Sequence, residues 1–240
     1  MITKGALNKV LEVCSLAELE NGTTVPLDEE KAGIMNRYAE LSANGLRTLG
    51  IACKDGNSVK DFTREDEKEM IFLGFVTFFD PPKAHAADMI CNLEKLGVKL
   101  KIITGDNALV ANSLGRQIGI EQPVVLTGTD IQNMNDAALM QRSAVVDIFA
   151  EVEPNQKERI ILSLKKSGNV VGFMGDGIND ASALHAADVG ISVDSAVDVA
   201  KEAAQIVLLN QDLEVLVQGI VEGRKTFANT MKYIFMATQC

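Results

Sequence analysis

The chain has 240 residues, 33 acidic side chains against 23 basic ones, and 47% hydrophobic residues. Beside that hydrophobic content a charged fraction of 23% excludes intrinsic disorder as the default, and the length suffices for one large domain or one and a half. The formal charge of -10, with no basic cluster to offset it, excludes a phosphate-backbone partner, so no nucleic acid is expected.

Apolar side chains at helical spacing predict helices over 7–16 and 27–43, joined by a polar link in which Asn21-Gly22 signals a turn. The run IFLGFVTFF, 71–79, is continuous, aromatic and β-branched, and reads as a buried strand. The polar stretch 54–69 before it reads as a boundary or exposed loop, and the domain change is placed near 70–82. From 83 onward helices and strands alternate: helix 84–96, strand 98–103, helix 107–118, strand 123–126, helix 135–142 and strand 145–149. Helix 155–167, strand 169–174, helix 179–186, strand 189–193, helix 197–203, strand 205–209 and a long helix from 212 complete the series. Such alternation predicts a doubly wound parallel α/β sheet, whose ligands bind at the carboxyl ends of the strands. The cysteines at 14, 53, 91 and 240 lack C-x-x-C spacing and histidine partners, so reduced, buried thiols are expected. No signal peptide opens the chain and no window has the 18 or so apolar residues of a membrane span, so as given it reads as soluble.

Three strand ends carry chemistry. After the strand at 98–103 comes Thr104-Gly105-Asp106, where a hydroxyl and a backbone N–H can meet a phosphoryl oxygen, or Asp106 can simply cap the next helix. After 169–174 comes Gly175-Asp176-Gly177-Ile178-Asn179-Asp180. Its two carboxylates are hard oxygen donors suited to Mg²⁺, and its glycines permit a tight turn and close approach to a ligand; a chance pair of turn aspartates is the alternative. Between them, Glu153-Pro154-Asn155-Gln156-Lys157 puts Pro154 at a first helical position and Lys157 in the first turn. A cation there opposes the helix dipole, and a bound anion would compensate; otherwise Lys157 is a solvated surface lysine.

Taken in order, these three segments resemble the motifs of the haloacid-dehalogenase-like phosphotransferases. TGDNALVANSLGRQIGI, GFMGDGINDASALHAADVGISV and DVAKEAAQIVLL resemble, more narrowly, the phosphorylation domain of P-type cation-transporting ATPases, with likeness from about Lys4 to Lys232. Lys4-Gly5-Ala6 is similar to the nucleotide-domain K-G-A motif, and Gly45-Leu46-Arg47 to the segment whose arginine meets nucleotide phosphates. Asp80-Pro81-Pro82 is similar to the hinge between the two domains, although a helix lead-in, a surface arginine and an ordinary proline turn would also explain these three. The resemblance implies a partial α+β nucleotide-binding domain over 1–75, a haloacid-dehalogenase-like phosphorylation domain over 76–232 and the start of a membrane-approach helix over 233–240. It implies that Thr104 and Lys157, with Gly105 and Asp106, hold the transferred phosphoryl. Asp176 and Asp180 would ligate Mg²⁺ with Asn179 in support, and Lys4, Gly5 and Arg47 would bind ATP.

The family's nucleophile, the aspartate of D-K-T-G-T, is absent from these 240 residues, so the chain is expected to be a fragment, inactive alone. Ser182 stands where the family usually has proline, a departure that removes no ligand. Gly190 to Asp198 resembles the magnesium-transporting members, since calcium and sodium-potassium pumps usually have Met-Gly where Val193 and Asp194 stand. The implied parent uses ATP and Mg²⁺ to move a cation across the cell membrane, with this part on the cytoplasmic side and the cation chosen by membrane helices outside this sequence. The rival expectation is a soluble Mg²⁺-binding regulatory module without turnover; a free-standing phosphatase would need an aspartate nucleophile that is not in place.

Overall fold

The computed structural model describes residues 1–54, 66–210 and 212–238, so most of the polar stretch 54–69, and Cys240, lie outside the described residues. The chain divides into two compact units, Met1–Pro81 with Leu109–Leu114, and Pro82–Ala108 with the residues from Gly115 on.

The first unit is built on a five-stranded mixed sheet. Its strands are β1 (Ile2–Ala6), β2 (Cys14–Glu18), β3 (Thr24–Pro26), β4 (Arg47–Cys53) and β5 (Met70–Phe78), in the order β1-β4-β5-β2-β3. Only β2 and β5 run parallel; the other neighbours are antiparallel. Helices α1 (Leu7–Val13) and α2 (Leu27–Ala43) bury Leu7, Val10, Leu11, Leu27 and Ile34 against Ala52, Met70 and Phe72. Helix α2 occupies the expected 27–43. The helix expected over 7–16 stops at Val13, because Cys14 turns to extended backbone and pairs in β2. Lys4-Gly5-Ala6 is strand that leads directly into α1, with Ala6 at the N-cap, and its pairing with β4 allows close packing: a Cβ on Gly50, opposite Gly5, would lie 3.3 Å from Leu7 and Val10. Cys14 and Cys53 flank β5 opposite Met70 and Ile71, two strand spacings or about 10 Å apart, beyond disulfide reach. Burial, with the nearby Cys53 adding to it, pushes the Cys14 thiol up to about 11, which keeps it protonated and unreactive. The expectation of buried thiols is not met among the described residues: Cys14 and Cys53 are half-buried and Cys91 is exposed.

The second unit is α/β, and every strand pairing in it is parallel. Strands β6 (Ile102–Ile103), β7 (Val125–Thr127), β8 (Ile148–Ala150), β9 (Gly172–Met174), β10 (Val189–Val193) and β11 (Ile206–Leu208) alternate with helices. These are α3 (Ala86–Lys95), α4 (Ala108–Gln117, of which Leu109–Leu114 group with the first unit), α5 (Gly128–Asn133), α6 (Asp136–Val145), α7 (Pro154–Lys166), α8 (Ala181–Ala186), α9 (Asp198–Ala203) and α10 (Leu213–Thr238). The hydrogen bonds join the strands into two three-stranded sheets, β6-β8-β7 and β9-β10-β11, where one continuous sheet was expected. One core nonetheless serves both, since Phe149 and Val152 of the first sheet's side share a buried cluster with Ile160, Ile161, Phe173 and Leu184. Helix α5 is an addition to the expected series: Thr127 and Asp130 cap it reciprocally, the Asp130 N–H donating to Thr127 Oγ1 at 3.2 Å and the Thr127 N–H to Asp130 Oδ2 at 3.0 Å. Helix α7 ends where Gly168 takes a left-handed φ of 83°, a conformation that favours glycine after a helix.

Helix α10 has no buried residue along its 26 positions, and Tyr233, Ile234, Phe235 and Met236 are exposed. Among the described residues no helix is long and apolar enough to cross a membrane.

Two features of the second unit make its stability testable. A Cβ on Gly128 would strike the Glu151 carbonyl oxygen and sit 2.8 Å from Gln156 Oε1, whereas one on Gly219 in α10 would meet nothing within 4 Å. Gly128→Ala should therefore cost about 2 kcal/mol in denaturant melts by overpacking, while Gly219→Ala should gain up to about 1 kcal/mol from helix propensity. The second feature is Asp188, whose Oδ2 accepts the Val171 N–H at 2.8 Å and whose Oδ1 lies 3.0 Å from Lys165 Nζ. The backbone bond first, then the lysine, hold its carboxyl below the ordinary 3.8. A depressed carboxylate contributes stability above its unfolded pKa and loses it as pH falls through the folded value. Asp188→Asn should be the less stable protein at neutral pH, and the gap should close in melts run below pH 3.8.

Candidate functional site

Strand β9 ends at Met174 and delivers Gly175-Asp176-Gly177 into a loop anchored at successive backbone groups. The Gly175 N–H donates to Ile191 O at 3.1 Å, the Val197 N–H donates to Asp176 O at 3.1 Å, and the Ser192 hydroxyl donates to Gly175 O at 3.0 Å. The loop then closes in a 3₁₀ turn, Ile178–Asp180, where the Asp180 side chain returns to accept the Gly177 N–H at 3.1 Å. Neither flanking glycine has the positive φ expected of a tight turn. The reason for Gly175 is space instead: a Cβ there would lie 2.6 Å from Asp180 Cβ. Asp180 is thereby tucked beneath the loop and buried, while Asp176 and Asn179 are exposed.

Lys157 meets that buried carboxylate. Pro154 opens α7 as expected, which leaves Lys157 in the first turn. Its Nζ donates to Asp180 Oδ1 at 2.6 Å, with the two side chains only 17% and 10% exposed. The compensation expected from a bound anion is thus supplied within the chain. Each Asp180 oxygen has a partner, Oδ1 the ammonium and Oδ2 the Gly177 N–H.

At the end of β6, the Thr104 hydroxyl donates to Asp106 Oδ2 at 2.8 Å and accepts the Asp106 N–H at 3.1 Å. This local turn orients the hydroxyl within its own segment, and Asp106 stands two residues before α4. At the start of α4 the carboxylate of Glu151, a residue held at φ 57°, accepts the Ala108 N–H at 3.2 Å. Thr104 is tied to the start of α7 through the Val152 N–H, which donates to Thr104 O at 3.0 Å. Gly105, exposed, has the Val152 carbonyl as the nearest neighbour of a would-be Cβ, at 3.8 Å.

A cleft of about 350 Å³ opens beside the loop, walled by Met89, Met174, Val193, Leu208 and Leu213, with Asp176 on its lining. Among the described residues no group of three or more His, Cys, Asp or Glu side chains converges as a metal site. That donor set, one exposed carboxylate and one already bonded, suits a cation that takes few protein ligands and keeps water and phosphate, as Mg²⁺ does, and not zinc. Lys4 and Gly5 lie in β1 opposite Ile51 and Gly50, and Arg47 opens the neighbouring β4 opposite Phe78. They belong to the first unit, and the other candidate residues to the second.

Sequence reasoning missed Glu151 and Ser192. Glu151 carried one usable signal, its place directly after a strand; Ser192 carried another, a hydroxyl inside an otherwise apolar strand.

Comparison with known proteins bears on the same residues. Residues 1–85 match a family model described as P-type ATPase, cytoplasmic domain N. Over 238 residues, 98% of this chain and 26% of the relative, the chain is 45% identical to "Magnesium-transporting ATPase, P-type 1" of Salmonella typhimurium, and equally to that of Escherichia coli K12. Similarity to "Calcium-transporting ATPase 1" of Bacillus cereus is lower, 34% over 243 residues, all of this chain and 27% of that one. The chain spans about a quarter of the length of these relatives.

The ion pair can be weighed directly. Lys157→Met leaves a buried carboxylate with one N–H partner and should cost about 2 kcal/mol in denaturant melts. Asp180→Asn should also be destabilising, because it leaves the largely buried Lys157 ammonium without its counter-charge. A double-mutant cycle should then show positive coupling, and additive losses would mean that the pair contributes nothing.

Proposed function

Starting from a chain homologous to the cytoplasmic region of magnesium-transporting P-type ATPases, we propose that it is the catalytic cytoplasmic segment of an ATP-driven, magnesium-transporting pump of the cell membrane. The observation that carries this reading is the Lys157–Asp180 pair set under the Asp176 loop at the ends of parallel strands. In the intact parent, a carboxylate oxygen of the D-K-T-G-T aspartate bonds to the terminal phosphorus of ATP as the bond to ADP breaks, and water later frees the phosphate. Such a transfer asks mainly for positioning and charge neutralisation. Lys157 has three N–H donors and spends one on Asp180, so two can turn to phosphoryl oxygens. The Thr104 hydroxyl joins them by rotating away from Asp106. Mg²⁺ would supply charge neutralisation at the phosphoryl, and Asp176, exposed at the cleft, would hold it; Asp180 sets the loop and the lysine.

The doubly wound, haloacid-dehalogenase-like fold belongs to the same proposal. Among the described residues β6 and β9 are each paired on one side only. A parallel strand leading to the D-K-T-G-T aspartate, seated between them, would join the two sheets and bring the nucleophile to Thr104 and Asp176. Lys4, Gly5 and Arg47 are the proposed ATP contacts of the first unit. No feature of the site favours the alternative of a regulatory Mg²⁺-binding module.

Two measurements test this reading. This chain alone should neither hydrolyse ATP nor retain acid-stable label from its terminal phosphate, for want of the nucleophile. In a full-length pump carrying this segment, Asp176→Asn should abolish Mg²⁺-dependent labelling while leaving the protein folded; full labelling would remove Asp176 from the site.

A further inference from the structure

We propose that Ser192 is a positioning residue for Asp176, locking the loop that carries the Mg²⁺-holding carboxylate; the inference rests on the reading of Asp176 given above. Strand β10 reads Val189-Gly-Ile-Ser-Val193, sits between β9 and β11, and is buried from Gly190 to Val193. A hydroxyl in such a strand carries a desolvation cost that an alanine would not, unless it is bonded. Ser192 is wholly buried, and its Oγ donates to the carbonyl of Gly175, the residue immediately before Asp176.

The register explains the aim. Ile191 stands opposite Met174, so the next residue of β10 falls beside Gly175, just where β9 stops being strand. The Gly175 N–H already donates to Ile191 O. With the Ser192 bond, both polar groups of the Gly175 backbone are tied to β10, and the Asp176 carbonyl is tied to the Val197 N–H. Main-chain torsion at 175 and 176 is thereby restrained on either side of the Asp176 Cα. The Asp176 carboxylate is then the charged group that this loop presents at the cleft, with the neutral Asn179 exposed close by in sequence. A partner behind a metal ligand that fixes its direction typically changes metal affinity by about tenfold or more when removed.

The test is a Mg²⁺ titration of this chain followed by the amide NMR shifts of residues 175–180, with thermal melts in parallel. Ser192→Ala should weaken Mg²⁺ binding about tenfold, and Ser192→Cys, close in volume and a poorer donor, should weaken it in the same direction and serve if the alanine variant does not fold. Ser143→Ala is the matched control, since Ser143 is equally buried and its Oγ donates at 3.1 Å to Met140 O within α6, away from the loop. It should lower the melting temperature without moving the titration. Ser192 variants that titrate like the wild type while Asp176→Asn abolishes binding would overturn the positioning role, as would an equal weakening by Ser143→Ala. An unchanged titration in Asp176→Asn would overturn the reading of Asp176 itself, and this inference with it.

Discussion

The Lys157–Asp180 ion pair is the interaction on which the rest of the site depends. It joins the first turn of α7, which follows β8, to the turn that follows β9, and so links the output ends of two sheets that share no strand hydrogen bond among the described residues. A pair this dry contributes little as a net sum of attraction and desolvation, but removing either partner is costly, because the survivor is left in the wrong dielectric. The geometry is therefore held by the penalty for breaking it. Gly175 follows from the same constraint, since a side chain there would occupy the volume that Asp180 needs.

Around that pair the polar groups are satisfied internally. Thr104 and Asp106 bond one another, Glu151 supplies the N–H acceptor at α4, and Gln156 donates through Nε2 to Gly128 O at 2.9 Å while accepting the Glu153 N–H. The proposed phosphoryl site, assembled in this way, would be preorganised without its anion: Lys157 would not have to be drawn in, only to share its remaining donors. The proposed Mg²⁺ carboxylate, Asp176, is exposed, while the buried carboxylate of Asp180 is bonded to the lysine.

Much of the helical framework was legible from residue order. Helix α2 appears over the expected 27–43, and α7 begins at the proline expected to open it, because apolar periodicity and proline at a first helical position are local signals. Strands β1, β2, β3 and β4 were not legible. The first three are short, and pairing partners such as Ile2 with Cys53 or Cys14 with Met70 are brought together by contacts far apart in sequence. The Thr127–Asp130 cap that creates α5 was readable in principle, yet no apolar period announced so short a helix. At the site, the G-D-G-x-x-D spacing and the placement of Lys157 could be read, but the reason for the glycine and the partner of the lysine could not.

Sequence by itself determined which residue types stand at the strand ends, where α2 and α7 run, and the likeness to P-type ATPases, because local periodicity and contiguous motifs need no knowledge of distant neighbours. Tertiary structure alone decided that Asp180 rather than a bound anion neutralises Lys157, that Ser192 bonds Gly175, and that the parallel strands form two sheets sharing one core. Each of those outcomes is a contact between segments separated by a helix or more. Their formation depends on burial and register, which exist only once the elements have packed.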